Sequence, residues 1–159
     1  MTNGGLAAMD SIDFFNLFTL ALLERLYGEF PTPVEIETKV LGTGLLPEDI
    51  DQDAGFKLLG STDDAMTFLA EEGFITHQGS YLEGGTFLQV RLTAKGLAVL
   101  GSTPGSLENR EPLVARIRKA LAGGAKEAGS ETVKQLVQQA FAAAVAAAPA
   151  IVAQITRDG

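Results

Sequence analysis

Residues 70–100 constrain this chain more than any other stretch. They open Ala-Glu-Glu-Gly-Phe-Ile, pass through a polar run bearing glycine, and close Val-Arg-Leu-Thr-Ala-Lys-Gly-Leu-Ala-Val-Leu. Gly73 is a helix-stop signal, because glycine adopts the left-handed conformation past a helix end without a Cβ penalty. Phe74 to Tyr81 and Thr86 to Leu92 read as strands, and Gly84-Gly85 between them suits a hairpin turn. Thr93 is placed to cap a helix carrying Leu97 and Leu100, which Gly101 stops. The order helix, strand, turn, strand, helix follows from these signals alone.

Upstream, residues 1–12 read as a loose leader. They lack the basic start and cleavage site of a secretory signal, so a cytoplasmic location is expected. Asp13 is the expected cap of a first helix running to about Phe30. Phe14, Leu17, Phe18, Ala21, Leu22 and Leu26 keep helical spacing, and Phe15, Leu20 and Leu23 widen the apolar face, so this helix is expected at the centre. Pro31 and Pro33 end it. A second helix is expected from Pro33 to about Val40, broken by Gly42 and Gly44. Leu45 to Gly60 reads as a connector with an acidic cluster at Glu48, Asp49, Asp51 and Asp53. A third helix starts at Ser61 or Thr62, with Asp63 and Asp64 favourable in its first turn and Met66 and Leu69 facing inward.

Residues 102–111 read as a linker. Beyond it, residues 112–158 form a helical extension of two helices. The first, about Pro112 to Ala122, carries Leu113, Ile117 and Leu121. The second, from Ser130, carries the stripe Val133, Leu136, Val137, Ala140, Phe141, Ala144 and Val145. Gln135 to Thr156 holds no charge and is long enough to span a bilayer. Glutamines and Pro149 interrupt it, however, and alanine contributes little transfer energy. It is read as an amphipathic helix packing on its own domain or on a second copy, with no membrane partner.

The pattern of helix, Glu-Gly-Phe-Ile, glycine turn and Leu-Thr-x-x-Gly-x-x-x-Leu resembles bacterial winged helix-turn-helix proteins. The likeness covers residues 13–101, and its specific part is Leu69 to Leu100. The tail is similar to that of uncharacterised bacterial proteins in which such a wing precedes a Gly/Ala-rich helical C-terminal extension. The resemblance implies a mainly α fold with a small β-hairpin, a winged-helix domain followed by a helical extension. It also implies DNA binding, with the third helix in the major groove and the wing against phosphate or the minor groove.

The residues at those positions argue otherwise. Net charge is −8, and residues 1–101 hold fifteen acids against five bases. On the third helix the outward side is expected to present Asp63, Asp64, Thr67 and Glu71, none of them suited to reading base edges as Arg, Lys, Asn or Gln are. Carboxylates there repel phosphates. The wing offers His77, Gln78 and Tyr81, with no Lys or Arg between Phe74 and Val90. These seven residues form the expected partner-binding face.

Other chemistry finds little footing. There is no cysteine and one histidine, His77, so thiolate and multi-histidine metal sites within one chain are excluded. Asp49-x-Asp51-x-Asp53 starts like a calcium loop, but Ala54 and Gly60 stand where such a loop needs Gly and Glu. No catalytic constellation and no cofactor motif emerges. Arg116, Arg118 and Lys119 form a basic cluster that is either a solvated face or a contact for an anionic partner, the acidic domain itself included.

The reading is a non-enzymatic protein-interaction module on an acidic winged helix, self-associating through Val133, Leu136, Val137, Phe141 and Val145. The alternative is a winged-helix DNA-binding transcriptional regulator.

Overall fold

A computed structural model describes residues 9–80, 84–103, 111–124 and 128–158, of which 147–158 are described as backbone only. In chain order the elements are α1 (Ser11–Glu29), β1 (Val34–Glu37), α2 (Thr38–Thr43), α3 (Gln52–Gly60), α4 (Thr62–Glu71), β2 (Ile75–Thr76), β3 (Thr86–Leu92), α5 (Ala94–Gly101), α6 (Leu113–Leu121) and α7 (Ser130–Asp158). The chain is mainly helical with a small three-stranded antiparallel sheet in the order β1-β3-β2.

α1 is the central helix. Nine of its residues between Phe14 and Leu26 are buried, so it is apolar over most of its circumference. Such a helix is stable only when neighbours cover it on several sides. Its cap is Asp10, not Asp13: the Asp10 carboxylate accepts from the Asp13 backbone N–H at 2.8 Å. Asp13 instead sits in the first turn, where negative charge meets the positive end of the helix dipole.

Three segments depart from the sequence reading, one of them β2, which covers only Ile75–Thr76 of the strand expected from Phe74 to Tyr81. Val34 to Glu37 is a strand rather than the expected second helix. Val-Glu-Ile-Glu alternates with period two, and Ile36 is buried while Glu35 and Glu37 are exposed. Four residues carry too little periodicity to separate strand from helix, and the pairing partner β3 decides. The expected hairpin is therefore a three-stranded sheet. Within it, Val34 pairs with Val90 and Ile36 with Phe87, so β3 has one residue more than β1 between the pairs. Gln89, at φ 56°, accommodates that bulge. The bulge is what lets Phe87, Val90 and Leu92 all turn inward.

The third departure is the expected connector, which contains α3. Asp51 caps it by accepting from the Ala54 N–H at 3.1 Å, so this member of the acidic cluster has a structural task. Gly42 does not break α2. It lies inside the helix where a Cβ would meet Leu59, Thr62 and Phe14.

The end of α4 and the start of α5 are joined as one unit. Gly73 has φ +86°. Gly73 N–H donates to the Ala70 carbonyl at 3.1 Å and Phe74 N–H to the Leu69 carbonyl at 2.9 Å. This pair of bonds satisfies the last carbonyls of the helix. The Thr93 hydroxyl donates to the Gly73 carbonyl and accepts from the Gly96 N–H, and Thr93 N–H donates to the Phe74 carbonyl at 3.1 Å. Lys95 Nζ donates to the Glu72 carbonyl at 2.7 Å and lies over the Phe74 ring. Gly96 is so close to Phe74 that a Cβ would fall on its carbonyl oxygen.

The tail belongs to the same core. α7 packs against α1, α5 and α6. Val133, Leu136, Val137, Ala140 and Ala144 are buried in one cluster with Phe14, Phe18, Leu22, Leu113 and Ile117. That cluster runs across the expected 102–111 linker. Val133, Leu136 and Val137 cannot form a dimer seam, because α1 and its neighbours already cover them. Phe141 is half-buried and Val145 is 73% exposed. No helix among the described residues is long and apolar enough to cross a membrane.

Leu136→Ala is expected to lower unfolding free energy by about 2–5 kcal/mol, since it opens a cavity in a closed core. The loss should be independent of protein concentration, as measured by denaturant titration at two concentrations. Gly96→Ala is expected to cost about 1–3 kcal/mol through overpacking against backbone, read as a lowered melting temperature.

Candidate interaction surface

The third predicted helix is α4, and its two first-turn aspartates part company. Asp63 points toward the glycine turn before β3. Its Oδ1 accepts from the Thr38 hydroxyl at 2.8 Å and its Oδ2 from the Gly85 N–H at 3.1 Å. Lys39 Nζ lies 3.7 Å from Oδ1. One carboxylate thus fastens α2 and the glycine turn of the sheet to α4. Thr38 repeats the connection from its own side, its hydroxyl and N–H both reaching the Gly85 carbonyl. Asp63 was expected on the outward face; it is instead a structural tie, because the turn at Gly84-Gly85 folds back over the start of α4.

Asp64, Thr67 and Glu71 are exposed, as is Gln78 beyond β2. His77 is half-buried. Its Nδ1 accepts from the Gly79 N–H at 2.9 Å and its ring meets the edge of Phe87 at 4.9 Å, so local packing accounts for it. Tyr81 lies outside the described residues. Asp64, Thr67, Glu71 and Gln78 are what remains of the expected face.

Sequence reading passed over the feature beside them. Phe68 is a helix residue one position from the core stripe, and 42% of it is exposed. Its ring stands edge-on to Phe15 of α1 at 5.6 Å and to Phe141 of α7 at 6.4 Å. Phe15 and Phe141 lie 6.5 Å apart, and Phe74 backs Phe141 at 5.5 Å. These separations suit tilted and edge-to-face aromatic packing. The three outer rings floor an open groove of about 380 Å³, continued by Ile12, which is 65% exposed. Among the described residues its polar lining is Ser11, Ser61 and Asp64, and no Lys or Arg lines it. Nothing in the sequence marks the groove, since its walls come from helices separated by up to about 125 positions and meet only in the folded chain.

Two further carboxylates, Asp10 and Asp13, lie at the start of α1, where Asp13 borders a separate small pocket with Asn16, Leu17 and Val133 rather than the groove. Asp13 has its carboxyl raised above the ordinary value, first by partial burial and then by repulsion from Asp10, with Lys134 opposing. The basic residues of the tail, by contrast, are engaged at home. Arg118 pairs with Glu24 at 3.1 Å and covers Tyr27, Lys119 pairs with Glu111 at 2.7 Å, and Arg116 donates to Gln139 at 2.6 Å. Lys95 is likewise engaged, donating to the Glu72 carbonyl at the end of α4. Among the described residues, no group of three or more His, Asp or Glu side chains is arranged to hold a metal ion.

What the geometry defines is therefore a class: a mainly helical chain with a small antiparallel sheet, presenting an aromatic groove beside carboxylates. Comparison with family models, curated proteins and solved structures finds no match for this chain.

Asp63→Ala is expected to cost about 1–3 kcal/mol, because it strands the Gly85 N–H and leaves the Thr38 hydroxyl only its longer bond to the Gly85 carbonyl. Faster amide exchange at Gly85, with α7 amides unchanged, checks that the loss is local. Asp13→Asn should act in the opposite sense. A carboxyl raised on folding contributes stability below its unfolded value, near pH 4, which is lost as pH climbs through the folded value. The variant should therefore gain on the parent across that window and keep a small advantage at pH 7, as followed by melting temperature against pH.

Proposed function

We propose that this chain is a non-enzymatic protein-interaction module built on an acidic winged helix-turn-helix. Support for the winged helix is the order of parts. A strand is followed by the pair α3–α4 joined at Ser61, then a two-stranded flap, then a helix lying beside the first. Support for a protein partner is one observation: the outward side of α4 offers Asp64, Phe68 and Glu71 around Thr67, carboxylates and an aromatic ring with no cation among them. Such a side suits the desolvated apolar centre and polar rim of a protein interface. It offers phosphates only repulsion. Self-association through the tail stripe is no part of the proposal, since three of its five residues are buried within the chain.

The DNA-binding regulator is the second reading, favoured by the helix pair and flap. It makes α4 the recognition helix and so runs against its charge.

A photo-crosslinking residue at Thr67, introduced in the native cell, is expected to give a discrete protein adduct. Asp64→Lys combined with Glu71→Lys should reduce that adduct at least several-fold without lowering the melting temperature. An adduct destroyed by nuclease would overturn the proposal in favour of DNA. In parallel, duplex DNA at low salt is expected to show no anisotropy change up to about 10 µM protein. Binding there, with affinity falling steeply as salt rises, would likewise favour the regulator.

A further inference from the structure

We propose that the groove floored by Phe15, Phe68 and Phe141 receives a cationic amphipathic helix from the partner protein. This inference rests on the protein-interaction reading and adds the chemistry of the partner. The floor is assembled from three separate helices and held by the ring contacts at 5.6, 6.4 and 6.5 Å, so it exists before any partner arrives. Preorganisation of this kind spares a binder the ordering cost that weakens flexible surfaces. The volume of about 380 Å³ lies within the range of pockets that bury a few large side chains. The groove is open along its length rather than closed, which suits a helix laying down residues at i, i+4 and i+7. Val145, one turn beyond Phe141 on α7 and largely exposed, extends the apolar surface at that end.

Charge selects the occupant. Among the described residues Asp64 lines the groove and no Lys or Arg does. At the groove's edge an incoming Lys or Arg meets Asp64, with Glu71 exposed two turns farther along α4. A second copy of this chain docked by the same face brings a second aromatic floor and a second Asp64, with no cation from the groove lining to meet them. Anionic lipid and nucleic acid are repelled by the same groups. An apolar helix face flanked by Lys or Arg is the occupant that satisfies both the aromatic floor and the acidic border.

The test uses the full chain and two synthetic helical peptides of about 18 residues. Both carry Leu at i, i+4 and i+7; one bears Lys on its flanks and the other Glu. The Lys peptide is expected to bind at least about tenfold tighter by calorimetry and to shift the amide resonances of Ile12, Phe68 and Phe141. Ile12→Ala with Phe68→Ala should weaken it at least about tenfold; loss of the Phe68 ring contacts lowers the melting temperature by about a few degrees, and an unchanged far-UV circular dichroism spectrum at the binding temperature shows that the chain stays folded. Asp64→Asn should weaken it several-fold and flatten its salt dependence.

Equal affinity for the two peptides, or no binding of the Lys peptide, overturns the proposal. So does self-association that Phe68→Ala abolishes, which makes a second copy the occupant. Binding that appears only after residues 1–8 are removed also overturns it, since the chain's own start is then the occupant. If the Thr67 adduct persists undiminished in the Ile12→Ala, Phe68→Ala chain, the interaction reading stands and this inference alone falls.

Discussion

The junction of Gly73, Phe74, Thr93 and Gly96 holds this structure together. Gly73 reverses the chain out of α4, and Thr93 grips the reversed segment through its hydroxyl and its N–H. Gly96 then allows α5 to lie against the Phe74 carbonyl. Each partner meets a need of the others. The Gly73 carbonyl just past α4 requires a donor, the first amides of α5 require an acceptor, and the Thr93 hydroxyl supplies both. Because α5 is set down at this point, β3 is anchored at its end, α7 finds a surface to cover, and Phe74 is positioned behind Phe141.

A second tie works at the other end of the sheet. Asp63 joins Thr38, Lys39 and Gly85, so the start of α4, the start of α2 and the turn before β3 move as a unit. Between the two ties α4 is clamped at both ends, and its remaining freedom lies in the outward side chains. A carboxylate used in this way leaves the acidic face smaller than a count of charges implies. Its neighbour Asp64 has no such task and borders the groove instead.

Charge in this chain is distributed by role. Arg118, Lys119 and Lys95 are paired with carboxylates or carbonyls of the chain itself. The negative excess therefore remains toward solvent, concentrated in the first hundred residues. Surface ion pairs of this kind add little stability. Their larger consequence is to quench the basic residues that a polyanion needs, while the aromatic groove stays bordered by acid.

Sequence alone determined the elements whose signals are local. The central apolar helix, the stop at Gly73, the glycine turn and the cap at Thr93 each depend on residues within a few positions, and all are legible there. Where the deciding contact lies far along the chain, the reading missed. Val34 to Glu37 becomes a strand because β3 pairs with it, more than fifty positions on. Asp63 turns inward because Gly85 comes to meet it. Val133, Leu136 and Val137 make the same apolar stripe whether they face a second copy or their own α1, and only tertiary packing chose the latter. The groove is the extreme case, for Phe15, Phe68 and Phe141 share no local pattern at all. Periodicity reports which side of an element is apolar; which surface covers that side, and which part is left open, is settled only when the whole core competes for it.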